Sequence, residues 1–156
     1  MSADSHDLTV ERVLDAAVED IFDVYTNPDA GRTVFAGGPD WAVEVTCDLR
    51  VGGVWSITSG PPNGEPYRET NRFSLIDRPH RLAFESTMTM PDGSSFNRHV
   101  EVTLKGEDGR TRMTMVHKGF PSAEVRDAFG TGLASIFDPL ERLAQAWPAR
   151  RRSRSS

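Results

Sequence analysis

Five polar residues stand where apolar ones are expected. In the segments "YRETNRFSL", "SFNRHVEVTL" and "RMTMVHKGF", one alternating parity carries Phe73, Leu75, Phe96, Val100, Val102, Leu104, Met113 and Met115. The same parity carries Tyr67, Glu69, Asn71, Arg98 and His117. Residues of one parity share one face of a strand. An apolar face therefore also presents a phenol, a carboxylate, an amide, a guanidinium and an imidazole. Buried polar groups need partners, and a few that converge in an apolar cavity make a ligand site. Glu69 and Arg98 have the charges to pair. Tyr67, Arg98 and His117 are suited to orienting the polar end of a bound molecule. His117, which titrates near neutral pH when free, is the candidate general base. As the lone inward histidine it reads first as a hydrogen-bonded wall residue. Solvated strand ends are the plainer account of the same pattern.

Other chemistries find less support. His99 lies on the opposite parity, His80 in a turn and His6 near the start of the chain. No histidine or cysteine spacing suits a metal, and the sequence calls for no metal or cofactor. Cys47 has no basic neighbour and reads as a small apolar residue, not a nucleophile. No nucleophile elbow, phosphate-binding loop or dinucleotide fingerprint occurs.

These residues need elements to position them. After a short β-type run at Leu8–Leu14, Val18, Ile21, Phe22 and Tyr25 recur at helical spacing. Asp15 is the expected N-cap, and a second short helix is expected over Asp29–Phe35. From Trp41 to Gly119 the pattern is β. The expected strands are Trp41–Leu49, Val54–Ser59, Tyr67–Ile76, Arg81–Met90, Ser95–Lys105 and Thr111–Gly119, separated by turn signals. Short loops between consecutive strands make an antiparallel meander. Val125, Phe129, Leu133, Ile136, Leu140, Leu143 and Trp147 then mark one long amphipathic helix over Ser122–Trp147. Gly130 and Gly132 weaken that helix. Pro139 kinks it, unless it begins a new helical segment.

A single curved sheet has one face to hide, and the last helix is the element long enough to cover it. The space between them is a natural cavity. Trp55, Phe84, Met113, Met115, Phe129, Leu133 and Ile136 are its expected apolar lining, with Tyr67, Glu69, Arg98 and His117 as polar lining. Trp41 and Trp55 are placed as walls near the Gly52-Gly53 turn. Met88, Met90, Met113 and Met115 suit an adaptable pocket but read first as core. The double glycine in "DLRVGGVW" is a fold device that allows a sharp return between strands.

Composition narrows the function classes. The chain has 156 residues, 37% hydrophobic and 26% charged, with a net charge of −5. It is read as one domain over 8–147, between a flexible tail at 1–7 and a disordered basic tail at 148–156. The acidic balance argues against the protein as a general nucleic-acid binder, although Arg150, Arg151, Arg152 and Arg154 leave nucleic acid or an acidic partner open for the tail. No apolar run is long enough to span a membrane. A polar, acidic start and a single cysteine suggest a cytoplasmic protein.

The ordered pieces "VERVLDAAVEDIFDVYTNPD", "CDLRVGGVW", "FSLIDRPHRLAFE", "TRMTMVHKGFP" and "GLASIFDPLERLAQ" carry a family resemblance. The chain resembles the helix-grip superfamily of START-like and birch-pollen-allergen-like proteins, in the branch of heat-shock ATPase activator homologues. It departs from the branch at Gly132-Leu133, where a Gly-Trp pair is usual, and at Pro139. The resemblance implies an α+β fold of order β-α-α-β6-α, with a curved antiparallel sheet wrapped round a long C-terminal helix. It also implies a small apolar or aromatic ligand, lipid or polyketide-like, in the cavity. Two alternatives accompany that reading. One is a cyclase- or hydrolase-type enzyme using His117 or Glu69 as base. The other is a protein-interaction domain with a chaperone as partner. Fold alone does not choose among them, and the sequence sets no oligomeric state.

Overall fold

The computed structural model describes residues 6–155, with side chains through Pro148. Its elements are β1 (His6–Leu14), α1 (Val18–Thr26), α2 (Pro28–Val34), β2 (Ala42–Cys47), β3 (Val54–Gly60), β4 (Tyr67–Asp77), β5 (Arg81–Thr89), β6 (Ser95–Glu107), β7 (Arg110–Phe120), α3 (Ala123–Ala134) and α4 (Phe137–Ser155). The strands form one antiparallel seven-stranded sheet in the order β1-β7-β6-β5-β4-β3-β2. The helices pack over one face, giving the α+β helix-grip architecture that the sequence leads one to expect.

Local chemistry places the first helices. Asn27 ends α1 and caps α2, its side-chain oxygen accepting from the Ala30 N–H at 3.0 Å, with Pro28 opening the helix. Asp15 is not a cap: Ala17 holds that position without a side-chain bond. Asp15 instead ties the end of β1 to α4. Its N–H donates to Glu141 Oε2 at 2.7 Å and its carbonyl accepts from Gln145 Nε2 at 3.1 Å.

The alternating inward set holds along most strands. Trp55, Ile57, Phe73, Leu82, Phe84, Val100, Val102, Leu104, Met113 and Met115 are all buried. Along β4 one position departs. A register irregularity between Phe73 and Leu75 flips the parity of β4, so that Ile76, opposite Leu82, packs on the core in the place expected of Leu75.

The double glycine returns β2 into β3 and is docked on β4. Gly52 has φ +85°, a conformation that side chains disfavour. The Gly52 N–H donates to the Phe73 carbonyl at 2.8 Å, and the Phe73 N–H donates to the Gly53 carbonyl at 3.1 Å. A Cβ on Gly53 would lie 2.1 Å from the Asp48 carbonyl oxygen. Both glycines are thus required by backbone geometry.

The expected long final helix is two helices. Ser135 and Ile136 donate to the Gly132 and Leu133 carbonyls at 3.1 Å each, tightening the end of α3 in i→i+3 bonds. Pro139 falls in the first turn of α4, where its missing N–H has no intrahelical acceptor to lose. It starts a segment and does not kink one. The two helices seat differently. Phe137, Leu140, Ala144 and Trp147 of α4 are buried, whereas α3 has no fully buried residue. Burying each of the large α4 side chains stabilises by roughly 1.5–3 kcal/mol. The α4 backbone runs on to Ser155, through the segment expected to be a disordered tail; arginine and alanine there are good helix formers. The side chains of 149–156 and residues 1–5 of the expected N-terminal tail lie outside the described residues, and His6 and Asp7 already belong to β1.

Gly53→Ala is expected to destabilise the fold by more than about 2 kcal/mol, because the clash is with backbone. Gly52→Ala meets open space and carries only the strain of its φ, about 1–2 kcal/mol. Urea denaturation of both variants checks the order.

Candidate functional site

A cavity of about 600 Å³ lies between α3 and the inner face of the sheet. That volume is in the range of small-molecule sites. The sheet floor supplies Trp55 and Ile57 from β3, Phe84 and Met88 from β5, and Met115 from β7. The roof is the Val125–Phe129–Leu133 stripe of α3, and Ile136 closes the junction with α4. The stripe is only half-buried because it faces this space and not packed side chains.

Of the residues singled out in the sequence, Trp55, Tyr67, Glu69, Phe84, Arg98, Met115, His117, Phe129, Leu133 and Ile136 line the cavity. Met113 does not. It sits further along β7, fully buried opposite Leu104, in the part of the sheet over which α1 packs. Met88 and Met90 are lining, beyond the core role first given them. Trp41 also lines the cavity, but at the end of β2 remote from the glycine turn, where it stacks on Tyr67 with ring centroids 6.2 Å apart. Tyr25 and Phe35 were not expected there. Tyr25 ends the apolar stripe of α1 and Phe35 follows α2, and both reach Trp55, with centroids at 5.1 and 6.0 Å. The stripe was visible in the sequence; its landing place depends on how the helices cross the sheet.

The polar end is built around Arg98, whose side chain is 1% exposed. Register brings its partners together: Arg98 on β6 is opposite Ser86 on β5, and Glu69 and His117 lie on β4 and β7. Arg98 Nη2 donates to Glu69 Oε2 at 3.1 Å, and Arg98 Nε donates to His117 Nδ1 at 3.0 Å. Ser86 Oγ makes a longer contact, 3.4 Å, with the same carboxylate oxygen. The guanidinium carbon stands 4.4 Å from the Phe129 ring centroid and 6.0 Å from those of Phe96 and Phe120. Cation–π attraction adds to the ion pair there.

This arrangement decides the state of His117. Arginine can only donate, so Nδ1 must be the unprotonated nitrogen and the proton of the neutral ring is on Nε2. Burial, and then the neighbouring Arg98 charge, lower the His117 pKa to about 3. At neutral pH the ring is a hydrogen-bond donor, not a base. Burial pushes the Tyr25 hydroxyl far above its usual range, with the Glu69 charge acting in the same direction. The Cys47 thiol rises to about 11, from burial and then from Asp48, which removes it as a nucleophile at neutral pH. Three buried polar atoms on lining residues have no hydrogen-bond partner among the described residues: Trp55 Nε1, Arg98 Nη1 and His117 Nε2.

The family model described as "Activator of Hsp90 ATPase homolog 1-like protein" matches residues 15–145. The chain belongs to this family. Solved structures agree in fold. Protein Ms6760 from Mycobacterium smegmatis is 25% identical, with a TM-score of 0.72 over 88% of this chain and 89% of that one. An uncharacterised protein from Rhizobium leguminosarum is 21% identical, with a TM-score of 0.78 over 90% and 95%. The AHSA1-like protein from Aeromonas hydrophila is 23% identical, with a TM-score of 0.72 over 92% and 94%. No curated protein matches the chain. No helix among the described residues is long and apolar enough to cross a membrane.

The depressed His117 pKa has a consequence for acid stability. Its value is about 3 in the folded protein against 6.5 for the free group. The unfolded chain therefore binds the extra proton first as pH falls. The stability that the neutral ring contributes is complete above about pH 6.5 and is lost progressively towards pH 3. Between pH 7 and 5 the wild type is expected to lose about 1–2 kcal/mol more than His117→Gln, which keeps an acceptor for Arg98 but does not titrate. Paired denaturant curves at the two pH values measure the difference.

Proposed function

We propose that this protein is a binding module for a small apolar or aromatic molecule, held between the inner face of the sheet and α3. One observation carries the reading: a ligand-sized apolar cavity whose roof helix has no fully buried residue while the adjoining α4 is firmly seated. The aromatic rings of Trp55, Phe84 and Phe129 and the flexible Met88 and Met115 suit a flat or irregular apolar body. The buried Arg98–His117 pair lies in the same wall and orients the polar end.

The enzyme alternative finds less support. Its principal base, His117, has its free lone pair occupied by Arg98. The role suggested by the family's name, a chaperone partner, calls for an exposed docking face. The exposed large apolar side chains among the described residues are divided among β1 (Val13), the β2–β3 turn (Leu49, Val51) and the start of β4 (Tyr67). No single face gathers them.

Methyl and amide NMR spectra recorded while titrating fatty acids, flavonoids and aromatic polyketides test the proposal. Shifts are expected at Trp55, Met115, His117 and the α3 stripe. Ala128→Trp places an indole at the cavity wall and is expected to weaken any ligand found by about tenfold or more while the fold persists. Unchanged spectra across the library would contradict the reading.

A further inference from the structure

The charges that line the cavity do not balance. Glu69, Arg98 and Glu124 are its charged lining residues, two carboxylates against one guanidinium, and His117 is neutral at pH 7. The lining therefore carries one surplus negative charge. The two signs also differ in access. The Arg98 side chain is 1% exposed, whereas that of Glu69 is 18% exposed and Glu124 is exposed on the first turn of α3. A molecule in the cavity meets carboxylate, while the cation is sealed.

Glu69 also keeps one oxygen free. Arg98 Nη2 and Ser86 Oγ both donate to Oε2. Oε1 accepts no hydrogen bond among the described residues, and it is not one of the polar atoms sealed without a partner. A carboxylate oxygen only accepts. Tyr25, on α1, is alike: the residue is 4% exposed, and its hydroxyl has no hydrogen-bond partner among the described residues yet is not sealed. Burial and then the Glu69 charge keep that hydroxyl protonated. Both residues line the cavity. The group that completes them must donate to Glu69. Rings surround it: Tyr25 and Phe35 both pack on Trp55, with centroids at 5.1 and 6.0 Å. Such rings attract a cation more than a neutral donor.

Resting on the binding reading above, we propose that the ligand is an arylalkylammonium ion, a protonated amine on a flat apolar body, whose ammonium group donates to Glu69 Oε1 and meets Tyr25 Oη. With it bound, the lining holds two carboxylates and two cations. An anionic ligand would instead leave three anions against one cation, in a largely desolvated wall where like charges repel. Arg98 acts on the ligand through Glu69, whose carboxylate it holds at 3.1 Å. The cavity thereby favours organic amines over free fatty acids.

Matched probes separate the possibilities by calorimetry at pH 7: 2-naphthylmethylamine, which is protonated there, 2-naphthylmethanol, 2-methylnaphthalene and 2-naphthoate. The amine is expected to bind about tenfold or more tightly than the hydrocarbon, as suits a hydrogen bond to a charged acceptor. It is also expected to bind more tightly than the alcohol and the carboxylate. In Glu69→Gln, checked for folding by thermal melting, the preference for amine over hydrocarbon should shrink about tenfold. Glu69 also pairs with Arg98, so two variants that leave this pair intact, Glu124→Gln and Tyr25→Phe, are measured beside it; each should shrink the preference several-fold. Equal binding of amine and hydrocarbon to the wild type would overturn the cation proposal and leave the binding reading standing. Alcohol or naphthoate binding as tightly as the amine would do the same. A preference for amine that survives in both Glu124→Gln and Tyr25→Phe would overturn its assignment to these residues. No binding by any probe would overturn both the cation proposal and the binding reading.

Discussion

Burying the Arg98 guanidinium is the constraint on which the site depends. A buried cation is tolerated only when it is paired and most of its hydrogen bonds are met. Glu69 supplies the opposite charge, His117 a neutral acceptor, and Phe96, Phe120 and Phe129 a polarisable surround. These residues come from three strands and from α3; the ion pair joins β6 to β4 within the sheet, and the Phe129 ring is the roof's contact with it. Removing one partner of such a pair typically costs about 3–5 kcal/mol, because the other charge is stranded. The same pair strips His117 of its usual chemistry. A histidine whose lone pair faces an arginine is an obligate donor near neutral pH.

Around that constraint the molecule divides into a packed part and an open part. Where α1 and α4 cover the sheet, Phe22, Leu104, Met113, Phe137 and Leu140 fill the interior. Where α3 covers it, the interior is a cavity. The break at Ser135–Ile136 lets the two covers differ. A Cβ at Gly132 would meet open space and one at Gly130 only the Leu8 side chain, so neither glycine is demanded by packing. Their effect is to lower the helix stability of the roof.

Much of the fold could be read in the sequence because alternation and turn chemistry are local. The β5 to β7 inward sets, the glycine return and the helical stripe of α1 all follow from residue spacing. The errors arise where geometry is not local. The bulge in β4 moved the inward role from Leu75 to Ile76 without any glycine or proline to signal it. Asp15 has cap chemistry but is held by Glu141 and Gln145, far along the chain. Pro139 was legible as a break, yet its position in the first helical turn emerged only with the helix itself. At the site, parity identified Glu69, Arg98 and His117, and opposite charge suggested the first pairing. The Arg98–His117 bond, which reverses the chemistry expected of the histidine, depends on side-chain directions across two paired strands.

The central claim is that His117 is a neutral, Nε2-protonated donor held by Arg98 at the wall of the cavity. Long-range proton–nitrogen NMR correlation of the histidine rings from pH 8 to 5 tests it most directly. The account predicts one ring, assigned to His117 by its loss in His117→Gln, with an unprotonated Nδ1 and a protonated Nε2 that do not titrate over this range. A His117 ring that titrates near pH 6.5, or one that carries its proton on Nδ1, would contradict it.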